Sequence, residues 1–400
     1  MDFESTEGQK ALVTMIKDFF RRETSPEFWL DLVARDPMER MPWDLMNKLH
    51  DVGLATLAVP KNWGGEGVDL FTLMLAAEAL GQYAPPLFPI YQHDWRTCVI
   101  LNEVGTEEQQ DEIFTRIMSE PTFYMGSSTT EPDYGHDPLL PYDEPGEGMK
   151  TFAYREGDEY VINGQKCFSC GVDADILWLS LRTDKHKPLS QSMSTLLVPK
   201  GTPGCSVRIN EWLVEHLRPN GDIIFDNARV PARYLLGGEE NTGFAMLRNH
   251  PRAAASIFLW LAAQIGTSQA IYELTLEYAN TRIQGGKPII EHPTIGVKMV
   301  EMLTKIEQTR LLLYKALWEI EQAAKVGSLP ASPLGFNLLN AMVHDLHAFV
   351  ALSAMDVLAG RAVMKDTYIE WLIRYVLEDL HGSGTATFNR IKASQLLYRE

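Results

Sequence analysis

The chain has 400 residues, 45% of them hydrophobic and 22% charged, and a net charge of −17. That length exceeds the range in which a single core keeps growing, so two or three domains with sizeable cores are expected. The negative balance argues against a nucleic-acid or anionic-membrane surface but leaves room for a small polyanionic substrate held by a local cluster of Lys or Arg.

The opening MDFESTEGQK has neither a basic region nor an apolar one, which predicts no secretory signal, and it is too acidic for a typical transit peptide. No apolar stretch reads as the roughly 18 residues that cross a bilayer; AAASIFLWLAAQIG is read as a core helix. Four cysteines suit a reducing compartment, and a cytoplasmic location is expected.

Residues 1–121 read as helical. Apolar side chains at 11, 12, 15, 16, 19 and 20 form one helix face, and 45, 46, 49 and 52 form another, closed by Gly53. LFTLMLAAEALGQY and EEQQDEIFTRIM predict two more helices, with a glycine-rich connection, VPKNWGGEGVDL, before the first of them. Over 122–240 the period changes: EYVINGQKCFS, ADILWLSLR, MSTLLVPK and DIIFDNARVP predict short antiparallel strands. Asn163-Gly164 predicts a hairpin turn, and HDPLLPYDEPGEGMK a long loop able to cover a site entrance. Over 241–400 long apolar stripes predict a helix bundle with loops at Gly285-Gly286 and SLPASP. The expected class is α+β in three domains: N-terminal helical, middle antiparallel β-barrel, C-terminal four-helix bundle.

Dinucleotide, P-loop, zinc-protease and nucleophile-elbow motifs are absent. Cys167 and Cys170 form a C-x-x-C without a second pair, and on a strand positions i and i+3 face apart. His344 and His347 lack the glutamates that a di-iron bundle needs on its partner helices.

Four stretches in order, VPKNWGGEGVD, TTEPDYGHD, INGQKCFSCGVDAD and FDNARVPARYLLG, resemble those of the acyl-CoA dehydrogenase flavoproteins. YANTRIQGGKPIIEH, DVLAGRA and the closing HGSGT extend the resemblance over essentially the whole chain. It implies helices, then β-barrel, then helix bundle, with FAD as cofactor, an acyl-CoA substrate, an electron-transfer flavoprotein as acceptor, and a homodimer or homotetramer. Thr129 and Thr130 would donate to the pyrimidine side of the flavin, Phe168 would lie against the ring, and Cys170 would stand at N5, where a thiol donates more weakly than the usual hydroxyl. Arg282 would pair with the FAD diphosphate, with a guanidinium fork suited to phosphate. Asp356, Ala359 and Gly360 would approach the same cofactor from a neighbouring subunit. Asp356 stands where the family has a neutral glutamine and Ala359 where it has a glycine. His136 replaces a serine at the CoA contact, and Gly384 and Thr385 complete the closing turn.

The resemblance also exposes a gap. Counting back from Thr385, the family's catalytic glutamate falls on Ser383, and the alternative position near the start of the first bundle helix is empty too, because 241–272 holds no Asp or Glu. A buried carboxylate is the usual base for a carbon-bound proton. Asp94 in PIYQHDWRT is the foremost remaining one, with His93 to tune it; in the family, members acting on alicyclic acyl-CoAs take their aspartate from this helix. Asp379 and His381 are rivals, and helix capping is the bland account of Asp94. An acyl-CoA dehydrogenase for bulky or alicyclic substrates is therefore expected. A flavin-dependent monooxygenase, or a non-catalytic FAD-binding paralogue, is the alternative.

Overall fold

The computed structural model describes residues 4–243, 250–325 and 334–397. The loop expected at SLPASP lies outside them.

Six helices come first: α1 (Glu7–Glu23), α2 (Pro26–Val33), α3 (Trp43–Asp51), α4 (Leu70–Tyr83), α5 (Phe88–Val104) and α6 (Glu107–Ser119). Local chemistry sets their starts. Thr6 with Gln9 and Thr106 with Gln109 form capping boxes on α1 and α6, each satisfying two orphan N–H groups. Ser25 and Asp69 cap α2 and α4 in the simpler one-way manner. The periodic helices α1, α3, α4 and α6 are where the apolar spacing places them, and Gly53 takes the left-handed conformation that ends α3. α5 shows no such stripe because it is buried on nearly every side, from Phe88 through Tyr91, Asp94, Trp95 and Cys98 to Leu101.

The β domain holds β1 (Met125–Ser128), β2 (Phe152–Glu156), β3 (Glu159–Cys170), β4 (Ile176–Arg182), β5 (Met193–Pro199), β6 (Cys205–Ile209) and β7 (Asn220–Pro231). Strands β1 and β2 each pair with both β3 and β4, so these four close a ring, and β5, β6 and β7 extend it. The barrel is not wholly antiparallel: β1 runs parallel to β4 from Met125↔Ile176 to Ser128↔Leu179. This follows from β1 entering straight from the helical domain rather than through a hairpin. The expected turn at Asn163-Gly164 is also corrected. Those residues lie inside β3, where its register against β7 slips, and the hairpin between β2 and β3 turns at Gly157-Asp158 instead. Gly164 serves as a bulge: its φ is +145° and a Cβ would sit 2.7 Å from the Thr151 backbone. The Asn163 side chain accepts from the Asn227 N–H at 3.0 Å and locks the bulge to β7.

Among the described residues a short helical turn (Pro251–Ala255) and five longer helices complete the chain: α7 (Phe258–Thr281), α8 (Pro293–Lys325), α9 (Leu334–Leu358), α10 (Tyr368–Glu378) and α11 (Ala386–Leu397), with a two-stranded hairpin turning at Gly285-Gly286 after α7. α7 is the axle of the molecule. It packs on α8, α9 and α10 and also on α4 and α5, and it crosses α4 where a side chain on Gly81 or Gly266 would collide with the other helix's backbone. Contrary to the sequence expectation, Arg252–Thr281 and Gly335–Val363 are long and apolar enough for a bilayer span by length and composition. The first has 78% of its apolar window buried within the protein, which is how a central bundle helix comes to pass that test.

Candidate active site

The strand β3 and the loop after β1 carry the residues expected around the flavin. Thr129 is exposed with its hydroxyl 3.3 Å from Ser180 Oγ, and the Thr130 carbonyl accepts from the Cys167 N–H at 2.9 Å. Beneath them lies a buried ion pair that sequence reasoning missed. Lys166 is fully buried and donates to Glu131 at 2.7 Å and to the Thr129 carbonyl at 2.9 Å. Glu131 also accepts the backbone N–H groups of Lys150 at 2.6 Å and Thr151 at 2.9 Å. Burial draws the Lys166 ammonium down to about 8 against the pull of Glu131. Burial likewise works against the Glu131 carboxylate, but Lys166 and the N–H donors outweigh it and hold Glu131 below its ordinary value. Fully hydrogen-bonded, this pair pins the Thr129–Thr130 backbone from below.

Phe168 breaks the regular strand. Its φ is +54°, the register against β7 slips between Lys166 and Ser169, and the ring stands 61% exposed, edge-on to Trp212 at 6.2 Å. Lys166 and Cys167 are consequently both buried in succession, so strict alternation of faces does not hold across the C-x-x-C. Cys170 is half-buried and pairs with Ser127 of β1. An exposed aromatic ring beside a buried, unpartnered Trp212 Nε1 and a pinned threonine loop suits a flat aromatic cofactor such as flavin.

Asp94 lies on α5, only 6% exposed, and its Oδ1 accepts the Met125 N–H at 2.8 Å. Oδ2 has no hydrogen bond among the described residues. The contact ties the carboxylate to β1, two residues before the Ser127 that pairs with Cys170. Burial pushes Asp94 up to about 8, Asp175 adds to the rise, and the Met125 N–H and the Arg218 charge restrain it. Capping does not account for Asp94, which stands well inside α5. His93 beside it is half-buried, and burial with Arg218 and Arg96 keeps the imidazole neutral.

The closing turn adopts a strained form. Ser383 has φ +51° and Gly384 φ +81°; Asn340 Nδ2 donates to the Ser383 carbonyl at 3.1 Å and Asn389 Nδ2 to that of Gly384 at 2.8 Å. Thr385 caps α11. Asp379 does not share this open side. Its Oδ2 lies 3.5 Å from His347 Nδ1, and the Asp379 side chain fills the space against Gly382. His347 Nε2 is 3.2 Å from the Gln264 carbonyl, which can only accept, so the proton sits on Nε2 and Nδ1 is left to accept. Burial pushes Asp379 well up, with Glu378 adding to it, and draws His347 down to about 3. Neither His347 Nδ1 nor Asp379 Oδ2 makes a hydrogen bond among the described residues. His381 is exposed.

Arg282 ends α7 as an exposed guanidinium with no ion pair among the described residues. Asp356 is ion-paired to Lys298, and no bond joins Asp356, Ala359 or Gly360 to Arg282 within the chain. Ala359 occupies the left-handed region at φ +50°, the conformation that a glycine takes without strain. His136 is exposed on the loop after Tyr134, whose next turn is tied to α11 by Lys392 donating to the Pro138 carbonyl at 3.1 Å. Among the described residues, Phe168, Ala359 and Ser383 are three of the five non-glycine residues with positive φ, and each is a position at which cofactor or substrate contact is expected.

Comparison with known proteins agrees with this geometry. The families described as acyl-CoA dehydrogenase N-terminal, middle and C-terminal domains match residues 6–121, 126–228 and 257–394. The chain is 31% identical over 399 residues to a cyclohex-1-ene-1-carbonyl-CoA dehydrogenase of Syntrophus aciditrophicus, covering 98% of this chain and 91% of that one. It is 32% identical over 397 residues to the protein of the same name from Geobacter metallireducens, covering 98% of each. The structure of butyryl-CoA dehydrogenase from Megasphaera elsdenii superposes with a TM-score of 0.84 at 23% identity, over 99% of this chain and 100% of that one.

Proposed function

The chain belongs to the acyl-CoA dehydrogenase family, FAD-dependent oxidoreductases acting on CH–CH donors, and from that premise we propose that it oxidises a bulky or alicyclic acyl-CoA with Asp94 as the base. One observation carries this reading: Asp94 is a buried carboxylate with one oxygen bound to Met125 N–H and the other without a hydrogen bond among the described residues, on a helix tied to the strand β1 that pairs with Cys170. At both of the family's usual base positions this chain has no carboxylate. The two relatives named as cyclohexene-carbonyl-CoA dehydrogenases support a ring substrate.

In this mechanism a substrate C–H bond breaks and its proton passes to Asp94 Oδ2. When bound, FAD would supply the acceptor for the hydride that leaves the second carbon as the C–H electron pair becomes the C=C bond. Thr129 and Thr130 hold the flavin's pyrimidine edge, Phe168 covers the ring and Cys170 meets N5. Arg282 takes the diphosphate, and Asp356, Ala359 and Gly360 serve the cofactor of a neighbouring subunit in a homodimer or homotetramer. Exposed Val297, Val300 and Leu311 on α8 and Leu352 on α9 suit such an interface. Ser383, smaller than glutamate, leaves width beside Gly384 for a ring, and His93 and His136 border the substrate. An electron-transfer flavoprotein in the cytoplasm receives the electrons.

The test is anaerobic mixing of flavin-loaded protein with linear and alicyclic acyl-CoAs while flavin absorbance is followed. Bleaching by ring substrates, lost in Asp94→Asn at normal flavin content, is the expected result. Bleaching by linear chains alone would overturn the ring substrate, and undiminished bleaching in Asp94→Asn would remove Asp94 from the chemistry.

A further inference from the structure

Arg218, in the loop between β6 and β7, is 4% exposed. A guanidinium buried to that degree is normally paired, because desolvating a charge is costly. Arg218 makes no hydrogen bond or ion pair among the described residues, and its Nε and Nη1 are buried without partners. Its location is defined by packing. Its Cδ lies 3.6 Å from the place a side chain on Gly171 would occupy, Gly171 is pressed against Gly126, and Gly126 follows the Met125 whose N–H holds Asp94. The Arg218 charge acts on Asp94 and His93 of α5 and on Tyr375 of α10.

Taking Asp94 as the base, we propose that Arg218 is a positioning residue that supplies the fixed positive charge against which this buried carboxylate ionises. Without that charge, burial would push the carboxyl above the value of about 8 that it has beside Arg218, and a still smaller fraction would be ionised to accept a proton from carbon near neutral pH. The Met125 N–H orients Oδ1, and Arg218 favours the anion without closing an ion pair that would occupy Oδ2. Its protons stay in place throughout; only the carbon-bound proton moves, to Asp94. The other groups facing Asp94 give no such help. Tyr91 and Cys98 on α5 are held neutral by burial, His93 is neutral, and Asp175 opposes ionisation. Arginine rather than lysine suits a buried position because its charge persists.

The experiment follows flavin bleaching by an alicyclic acyl-CoA against pH in the flavin-loaded wild type, Arg218→Met, Arg218→Lys and Asp94→Asn. In Arg218→Met the acidic limb should move to higher pH by about one unit, which makes bleaching about tenfold slower at neutral pH, with the deficit closing as pH rises. Acyl-CoA affinity should be unchanged, a split that a merely structural role would not produce. Arg218→Lys keeps the charge and should keep the limb near its wild-type place; it also decides the matter if Arg218→Met does not hold flavin. An unmoved limb in Arg218→Met, or one displaced in Arg218→Lys as far as a neutral residue displaces it, overturns the proposal. Undiminished bleaching in Asp94→Asn would remove the base and this role together, whereas a silent Asp94→Asn with an unmoved Arg218→Met limb would sink only the role of Arg218.

Discussion

Asp94 and Asp379 are both more than nine-tenths buried, and burial pushes both carboxyls above their ordinary value. What surrounds them differs. Asp94 has a backbone N–H on one oxygen, a guanidinium charge that favours its anion, and a link to β1. Asp379 sits between α9 and α10 with its Oδ2 3.5 Å from His347 Nδ1 but without a hydrogen bond, and Glu378 adds like charge. One environment restrains the rise and leaves an oxygen free. The other gives Oδ2 no donor among the described residues and packs the carboxyl against Gly382, behind the turn carrying Ser383. Burial alone does not make a catalytic carboxylate; the donors around it decide which buried acid can serve.

Breaking that contrast gives the largest effect. Asp94→Asn should lower the rate of flavin reduction by about 10²–10⁴-fold with flavin content intact, read by stopped-flow absorbance. The same substitution should change the pH dependence of stability. Native Asp94 holds its proton up to about 8 while the unfolded chain releases it near 3.8, so stability contributed by the protonated form is lost as pH rises through that interval. Asparagine removes this loss, and thermal melts should show the variant gaining on wild type as pH rises from 3.8 to about 8, with no further gain above it.

Lys166→Met tests the flavin side rather than the base. It strands Glu131 as a buried, unpaired acid, and the expected cost is about 3–5 kcal/mol in chemical unfolding, accompanied by flavin release. Asp379→Asn sharpens the comparison from the other end. It removes the acid but keeps the size of the side chain, so flavin reduction should stay within about twofold and stability should change by less than about 1 kcal/mol. A rate loss as large as that of Asp94→Asn would reverse the assignment. The smallest effect is expected at Ala359→Gly, where relief of a left-handed alanine should raise stability by about 1 kcal/mol at most, measured by denaturant midpoint.

The order of helices, barrel and bundle was legible because periodicity and capping are local. Thr6, Asp69 and Thr106 begin helices whose stripes announce them. The emptiness of the usual base positions was also a property of the sequence, since an absent carboxylate needs no coordinates. α5 carries no stripe, because a helix buried all round presents apolar side chains to every neighbour. Asn163-Gly164 has turn chemistry, yet a glycine with positive φ serves a bulge as well as a turn, and only pairing with β7 distinguishes the two. Lys166 with Glu131, Arg218 beside Asp94, and His347 against Asp379 join residues 32 to 124 positions apart in the chain. Hydrophobic pattern and turn chemistry are written over a few neighbouring residues, so the sequence by itself determined the elements and the likeness to a family. Charge placement in a buried site depends on which distant segments the core brings together, and that was decided only by the tertiary structure.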